Sequence, residues 1–421
     1  MNKINIESVK NKIFQNAIIF KEKTLYCINL IKSADIHLIR KICFIFVFVI
    51  IILFPLITIN IKYELLNGVE NKISLAEFNL KNIYDNTYQN SLDDYIDQNL
   101  NIKPFIVRNR NQFLYDTFNI SPHLAITMND DKNLISKEVL NYYLHGQYYM
   151  SDLDIKKQAN KFIKLNKILK EKNKNMLVII TPTKARYLTY NEYPKADKVI
   201  LNSRKFRYDV PYEKFVSSLK KEDLLLFDSI DYIEQNKNFY LEDASPLFYD
   251  TGHHWSYYKG RNVGVAIIDY ISDNTDINFP KLKVIASKSN VAVYPDNDLY
   301  ELLNLNKKEK KIYMNTDVEY IDPRSSFPSV VISGGSFLGE LLFPFATYGL
   351  EYNKVFHIEN KMYYMNHYED LVNFEKYEEI PLKDELKNID LFIFEINEVN
   401  IYNASFGFID YLLEHLDYLE E

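Results

Sequence analysis

Two short segments of this 421-residue chain contain residue types that could together perform nucleophilic chemistry. The first is SVVISGGSFLG, residues 329–339, in which a serine follows two glycines. The second is DTGHHWSYYKG, residues 250–260, which holds two of the eight histidines and the single tryptophan. Seven of the ten glycines lie in or beside these segments. Because glycine weakens regular structure and suits unusual backbone angles, both segments are predicted to be sharp, specialised turns.

The serine segment predicts a strand, a tight turn and the start of a helix. Val330 to Ile332 is a short apolar run, and Ser336 would begin the helix. Open α/β sheets bind ligands at the carboxyl ends of their strands, and a helix N-terminus offers free N–H groups. Ser336 is therefore a candidate nucleophile, and Gly335 beside it could support an oxyanion. The alternative is structural, since serine is also a common helix N-cap.

The histidine segment could supply the base that a serine nucleophile needs. Serine attacks poorly unless an imidazole lies within hydrogen-bond distance and a carboxylate orients that imidazole. Asp250 precedes His254 by four residues, so one loop could present both groups, with His253 beside them. Metal binding is one alternative, although neighbouring histidines on an extended segment point to opposite sides and no HExxH or Cys-rich partner is present. Packing of the histidines with Trp255 in a core is the other.

Four apolar runs separated by helical stretches indicate the fold class. They are MLVIITP, DLLLFDSI, PSVVISGG and IDLFIFEIN. Short buried strands that alternate with helices are typical of a parallel sheet covered on both faces. We therefore expect an α/β domain in which a parallel sheet flanked by helices positions both segments.

An uncharged run from Ile42 to Ile59 predicts a membrane span ahead of this domain, because about 18 to 20 apolar residues cross a bilayer core. The preceding residues carry eight Lys or Arg against three acidic residues, which favours a cytoplasmic N-terminus. A buried core helix is the alternative, since the run is short for a span. A cleaved signal peptide fits less well, because the leading arm is long and no small-residue site follows. We expect four parts: a cytoplasmic basic arm (1–41), a transmembrane helix (42–61), a stalk with lead-in helices (62–125) and a catalytic domain (126–421).

Charge and cysteine content argue against several classes of function. Removing the arm's excess of +5 from the formal net charge of −7 leaves −12 beyond it, which disfavours nucleic acid as a partner. Cys27 and Cys43 both precede the predicted domain. A disulfide framework and a thiol nucleophile are therefore not expected there.

The two segments resemble the DHHW and GDSF-type blocks of the SGNH-like O-acetyltransferases associated with alginate acetylation. The histidine block precedes the serine block, as in that family. Three further segments are similar to the family's pattern and occur in its order: LVIITPTKARYLTYNEYP, DNDLYELLNL and IDLFIFEINE. The resemblance covers most of the chain beyond the stalk, and it implies an SGNH-hydrolase-like fold for the catalytic domain.

The resemblance also implies an activity. Ser336 would be the nucleophile and His254 the general base, with Trp255 fixing the loop. In the family, an acetyl group passes through the serine to a hydroxyl of an exported polysaccharide, and it usually comes from a multi-pass membrane acyltransferase. The chain would then be an O-acetyltransferase anchored in the bacterial cytoplasmic membrane, with its catalytic domain outside, and would need no cofactor or metal. The supporting residues suggested by the resemblance are Lys184, Arg186 and Asn397.

The sequence departs from the family pattern at three positions, and the first of them removes the carboxylate expected to orient the base. Gly252 stands where the family has the block aspartate, Gly335 where it has the GDSF aspartate, and Val399 where it has an arginine. Asp250 could replace the first of these from the same loop. Two other functions stay open. A carbohydrate esterase would use the same residues with water as acceptor, and a polysaccharide-binding or assembly protein would carry a decayed site.

Overall fold

The computed structural model describes most of the chain. The described residues are 36–57, 63–68, 74–99, 102–145, 150–195, 197–198, 210–242, 245–322, 328–341, 354–358, 362–366, 370–374, 377–379, 382–386 and 389–419. Contacts between Cα atoms divide the chain into two compact units, Met1–Val107 and Arg108–Glu421. The predicted basic arm lies almost entirely outside the described residues.

The first unit contains the apolar helix predicted as a membrane span. This helix, α1, runs over Ile36–Ile57 and is followed by α2 (Leu80–Tyr84) and α3 (Thr87–Asn99). Within α1, the window His37–Phe54 is long and apolar enough to cross a bilayer, and none of it is buried against the rest of the chain. Residues 58–61 of the predicted span lie outside the described part. The helix is compatible with a single-pass anchor.

The second unit alternates strands and helices. Helix α4 (Lys103–Phe118) leads into it from the first unit. The further helices are α5 (Lys137–His145), α6 (Asp152–Glu171), α7 (Val210–Leu219), α8 (Ser229–Gln235), α9 (Lys237–Tyr240), α10 (Tyr257–Asn274), α11 (Asp298–Leu302), α12 (Leu382–Glu385) and α13 (Phe408–Glu414). The strands are β1 (Ile126–Met128), β2 (Leu134–Ser136), β3 (Asn175–Thr181), β4 (Leu225–Asp228), β5 (Lys281–Ser289), β6 (Tyr313–Asp322), β7 (Val330–Gly334), β8 (Lys354–Ile358), β9 (Met362–Asn366), β10 (Asp370–Phe374) and β11 (Leu391–Asn397).

The central sheet has the strand order β10-β9-β8-β7-β11-β3-β4. The four runs predicted as strands are β3, β4, β7 and β11, and they lie side by side and parallel. The α/β fold class and the parallel sheet predicted from the sequence are thereby confirmed. The structure extends this sheet with β8, parallel to β7, and with β9 and β10, which pair antiparallel. The carboxyl ends of the parallel strands lie at the same edge of the sheet, and the serine turn follows β7 at this edge.

Alternating residues of the central strands build a core on each face of the sheet. On one face, Val178, Phe392 and Phe394 pack among side chains of α6, α7 and α13. On the other face, Ile179, Ile332 and Ile393 pack among side chains of α10 together with Trp255 and Phe337. Burying such side chains contributes about 1.5–3 kcal/mol each, so both layers stabilise the sheet strongly. The second layer brings the histidine and serine segments together.

Candidate active site

A buried lysine holds the loop that carries the two histidines. The ammonium of Lys184 donates to the carbonyl oxygens of Leu134 (2.7 Å), Tyr249 (2.8 Å) and Gly252 (2.9 Å). Burial lowers the pKa of Lys184 to about 7. Three carbonyls match the three donors of an ammonium group, so this side chain positions the loop.

Gly252 lets a second loop lie against the histidine loop. A Cβ atom at this position would stand 2.9 Å from the carbonyl oxygen of Asp296 and 3.1 Å from that of Pro295. The hydroxyl of Thr251 donates to the same Asp296 carbonyl at 2.9 Å. The close approach explains the glycine, since no side chain fits between the two backbones. It also brings α11, which begins at Asp298, beside the histidines.

Asp298 is the carboxylate that orients His254. Its Oδ2 lies 2.6 Å from Nδ1 of His254, and its Oδ1 accepts the backbone N–H of His253 at 2.7 Å. Burial alone would raise the pKa of Asp298, but the hydrogen bond and charge of His254 outweigh it and the pKa is lowered. A carboxylate at Nδ1 holds the proton on that nitrogen, so Nε2 is the basic atom of His254.

The expectation that Asp250 orients His254 is corrected by these contacts. Asp250 forms an ion pair with Lys311 instead. Its backbone carbonyl accepts the N–H of Leu134 at 2.7 Å, so the residue lies where the loop joins β2. The backbone N–H of Gly252 donates to the carbonyl of Tyr249 at 3.1 Å, and the glycine lies against the 295–296 backbone of the loop that leads to Asp298.

The histidine loop packs directly on the serine turn. The ring centroid of Phe337 lies 4.9 Å from that of His254, 5.8 Å from that of His253 and 5.8 Å from that of Trp255. The indole N–H of Trp255 donates to Oε2 of Glu340 at 2.9 Å. Both Trp255 and Glu340 are buried, and burial raises the pKa of Glu340 to about 7. The histidine segment therefore packs against the serine turn and also bonds the residue that follows the serine segment, 85 residues away in the chain.

Ser336 lies in the turn between β7 and a short helical stretch at 338–341. The residue is half-buried, while its neighbours Gly335 and Phe337 are buried. Its carbonyl accepts the N–H of Gly339 at 3.3 Å. The turn therefore sets Ser336 at the carboxyl end of a parallel strand, one residue from the ring that contacts His254.

Glu395 supports this turn from the neighbouring strand β11. Its Oε2 accepts the backbone N–H of Gly335 at 2.8 Å, and its Oε1 accepts the hydroxyl of Thr181. A Cβ on Gly334 would stand 2.7 Å from Cβ of Glu395, so glycine is needed there. Burial raises the pKa of Glu395, although both hydrogen bonds and the charge of His254 oppose the shift. The Gly335 amide, expected to support an oxyanion, is directed at this carboxyl group instead.

His253 is the neutral partner of the histidine pair. Burial, together with the charge of the neighbouring His254, lowers its pKa to about 3. The two imidazole centroids are 5.0 Å apart. Among the described residues, no group of three or more His, Cys, Asp or Glu side chains is arranged to hold a metal ion.

Arg186 and Asn397 hold the strand ends beside the site. Arg186 donates from Nε to Oε2 of Glu398 at 2.7 Å, and Glu398 also accepts the N–H of Thr183 at 2.9 Å. Asn397 donates to the carbonyl of Pro182 at 3.1 Å. These contacts fasten the turn after β3 to the end of β11. Of the three supporting residues suggested by the resemblance, Lys184 is the one whose described hydrogen bonds include the histidine loop.

Sequence reasoning missed three acidic residues of the site: Asp298, Glu340 and Glu395. Asp298 and Glu395 lie in the segments DNDLYELLNL and IDLFIFEINE, which were recognised as similar to the family pattern without a role for either residue. A carboxylate inside an apolar strand, as in FIFEIN, is itself a signal, because buried carboxylates need partners. Glu340 lies likewise in the apolar stretch FLGELLF.

No protein-family model and no curated protein matches the chain. Similar proteins are found among the solved structures. The O-acetyltransferase domain of Pseudomonas putida AlgJ is 16% identical, with 66% of this chain and 92% of that chain covered and a TM-score of 0.39. Bacillus cereus PatB1, solved with a sulfonyl adduct, is 15% identical, with 67% and 97% covered and a TM-score of 0.44. Pseudomonas aeruginosa AlgX is 12% identical, with 68% and 67% covered and a TM-score of 0.40.

One of these similar structures is an O-acetyltransferase domain. At these low TM-scores no residue role carries over. The chemistry follows from the contacts of the site itself.

Proposed function

We propose that this chain is a membrane-anchored O-acetyltransferase that passes an acetyl group through Ser336 to a hydroxyl of an exported polysaccharide. The observation that carries the proposal is the His254–Asp298 pair, with 2.6 Å between Nδ1 and Oδ2, packed on the turn that bears Ser336. A base held in one tautomer by a carboxylate, next to a serine on a strand-to-helix turn, suits acyl transfer.

The proposed reaction has two balanced halves. In the first, the Ser336 hydroxyl gives its proton to Nε2 of His254 and its Oγ bonds to the acyl carbon of the donor. The bond from that carbon to the donor's leaving group breaks, and the leaving group takes the proton from His254. In the second half an acceptor hydroxyl loses its proton to His254 and attacks the acyl-serine. Ser336 then leaves with the proton restored.

The charge of the imidazolium is compensated by Asp298, the carboxyl group whose pKa is lowered. Asp298 bonds Nδ1 directly, and the charge of His254 acts on Glu340 and Glu395 as well. These groups lie in a largely buried region, where electrostatic stabilisation is stronger than in water. Because Glu395 holds the Gly335 amide, we assign the oxyanion to the backbone N–H groups of the turn at 336–337.

The proposed location follows from the apolar helix α1. Acetyl-CoA is cytoplasmic, so a catalytic domain outside the membrane would need a multi-pass membrane acyltransferase as its donor partner. The basic arm favours the orientation with the N-terminus inside.

The serine adduct tests the proposal. Purified full-length protein in detergent is treated with p-nitrophenyl acetate or a serine-directed phosphonate, and the modified residue is identified by mass spectrometry. We expect an adduct on Ser336 that disappears in Ser336→Ala. Ser333→Ala is the matched control, because this buried hydroxyl three residues earlier should leave labelling intact. A folded protein without an adduct on Ser336 would end the catalytic proposal.

An esterase would use the same site, because the half-buried Ser336 is accessible to water. The distinguishing measurement is the product formed with and without a glycan acceptor. Acetyl transfer to the glycan supports the transferase, and release of acetate at the same rate in both conditions supports the esterase.

A further inference from the structure

Tyr294 places an exposed aromatic ring beside the proposed base. Its side chain is 72% exposed, and its ring centroid lies 6.5 Å from that of His254 with an angle of 50° between the planes. Aromatic side chains of this size usually bury most of their surface. A largely exposed tyrosine beside the proposed base is suited to meet a ligand.

The turn that carries Tyr294 is fastened on its inner side. Asp296 is buried, its carboxylate accepts the N–H of Tyr257 at 2.7 Å, and its carbonyl accepts the Thr251 hydroxyl at 2.9 Å. The N–H of Asp296 also donates to the carbonyl of Val293 at 2.9 Å, which closes the turn around the tyrosine. A ring on so well-anchored a backbone is preorganised, so a ligand that stacks on it orders little of the protein.

We propose that Tyr294 is the platform on which a sugar ring of the acceptor stacks, and that stacking presents a sugar hydroxyl to His254. This inference rests on the proposed transferase function and identifies the acceptor subsite. A pyranose ring has a face of polarised C–H groups and a rim of hydroxyls. The negative face of an aromatic ring attracts those C–H groups, while the rim stays free to react.

The tyrosine and histidine rings are neighbours, with 6.5 Å between their centroids, so a sugar would stack on the exposed part of the tyrosine ring and not between the two rings. A stacked sugar lies roughly 4 Å above the tyrosine ring at carbon-to-carbon contact. A hydroxyl at the rim of that sugar would then reach past the tyrosine ring towards His254.

The experiment separates acceptor binding from serine acylation. Full-length protein in detergent is acetylated with p-nitrophenyl acetate, and the burst of nitrophenol reports acylation of Ser336. Pentasaccharides of glucose, N-acetylglucosamine, xylose and mannuronic acid are then offered as acceptors, and acetylated products are measured by mass spectrometry. The best acceptor of the wild-type protein is used for the variants.

We expect Tyr294→Ala to raise the KM for the acceptor about tenfold while the nitrophenol burst keeps its wild-type amplitude and rate. Tyr294→Phe keeps the ring and should remain close to the wild-type KM. Tyr84→Ala is the matched control, since Tyr84 is 91% exposed on α2 and should have no effect.

Three outcomes would overturn the inference. Tyr294→Ala could transfer acetyl as well as wild type does, or it could lose the burst together with transfer, which would place the ring on the donor side or in the fold. The wild-type protein could also be acetylated at Ser336 and yet acetylate no pentasaccharide. Absence of any Ser336 adduct is a different result, because it removes the proposed function itself.

Discussion

The base of the proposed site is defined by one carboxylate contact. Asp298 reaches His254 from 44 residues further along the chain and also bonds the backbone of His253, so it fixes both the tautomer and the position of the ring. Asp250, the nearer acidic residue in sequence, is occupied by Lys311. The aspartate nearer in sequence is therefore not the one that orients His254, and the three-dimensional structure is needed to identify Asp298.

The two aspartates should behave differently when their charge is removed. We expect Asp298→Asn to slow acylation of Ser336 about a thousandfold or more, because the amide no longer holds the proton on Nδ1. Asp250→Asn keeps the shape of its side chain and should stay close to the wild-type rate. The rate of the p-nitrophenyl acetate burst measures both, with melting temperature as the check on folding. Equal losses in the two variants would contradict the assignment of Asp298.

At the scale of elements, two close approaches join the loops into a site. Gly252 admits the 295–296 backbone, and Gly334 admits Glu395 from the adjacent strand. Between these contacts, Trp255 bonds Glu340 on the helical stretch after Ser336. Packing and buried hydrogen bonds hold these elements together. The backbones approach so closely at the two glycines that a methyl group there would shift the elements relative to each other.

Substitution of Gly252 should show that the site depends on this close packing. Gly252→Ala places a Cβ about 2.9 Å from the carbonyl of Asp296 and must displace the loop that carries Asp298. We expect a loss of stability of about 1–3 kcal/mol and a fall in the acylation rate. Gly252→Asp, which restores the family pattern, should be worse for the same reason.

Gly339→Ala provides the control for these variants. A Cβ there meets nothing within 4 Å, and alanine suits a helical position better than glycine, so stability should be equal or up to about 1 kcal/mol higher. Thermal unfolding and the nitrophenol burst are measured side by side. A Gly252→Ala protein with wild-type stability and rate would show that the two loops adapt to the side chain.

At the scale of the whole molecule, the proposed location of the site rests on the apolar helix and the basic residues before it. Helix α1 can cross a bilayer by length and composition, and none of its His37–Phe54 window is buried. The excess of Lys and Arg before it favours a cytoplasmic N-terminus. On this basis we propose that the acyl transfer takes place outside the cytoplasm.

Reporter fusions in a bacterial host test this orientation. Alkaline phosphatase joined after Glu421 should be active, because it folds outside the cytoplasm, and green fluorescent protein joined at the same place should be dark. Alkaline phosphatase joined after Asp35, before α1, should be inactive. Fluorescence of the C-terminal fusion would place the catalytic domain in the cytoplasm and contradict the proposed location.

The sequence by itself determined the parts of this protein that depend on neighbouring residues. Apolar runs identified β3, β4, β7 and β11, and rare glycines, histidines and the tryptophan identified both loops of the site. Such features can be predicted because hydrophobic periodicity and backbone requirements act over a few residues.

Tertiary structure alone decided which groups meet. It selected Asp298 over Asp250, directed the Gly335 amide to Glu395, placed Glu340 against Trp255 and added β8, β9 and β10 to the sheet. These contacts join residues that are far apart in the chain. Many residues have the same chemical groups, and the strand order and the packing of side chains determine which of them come into contact.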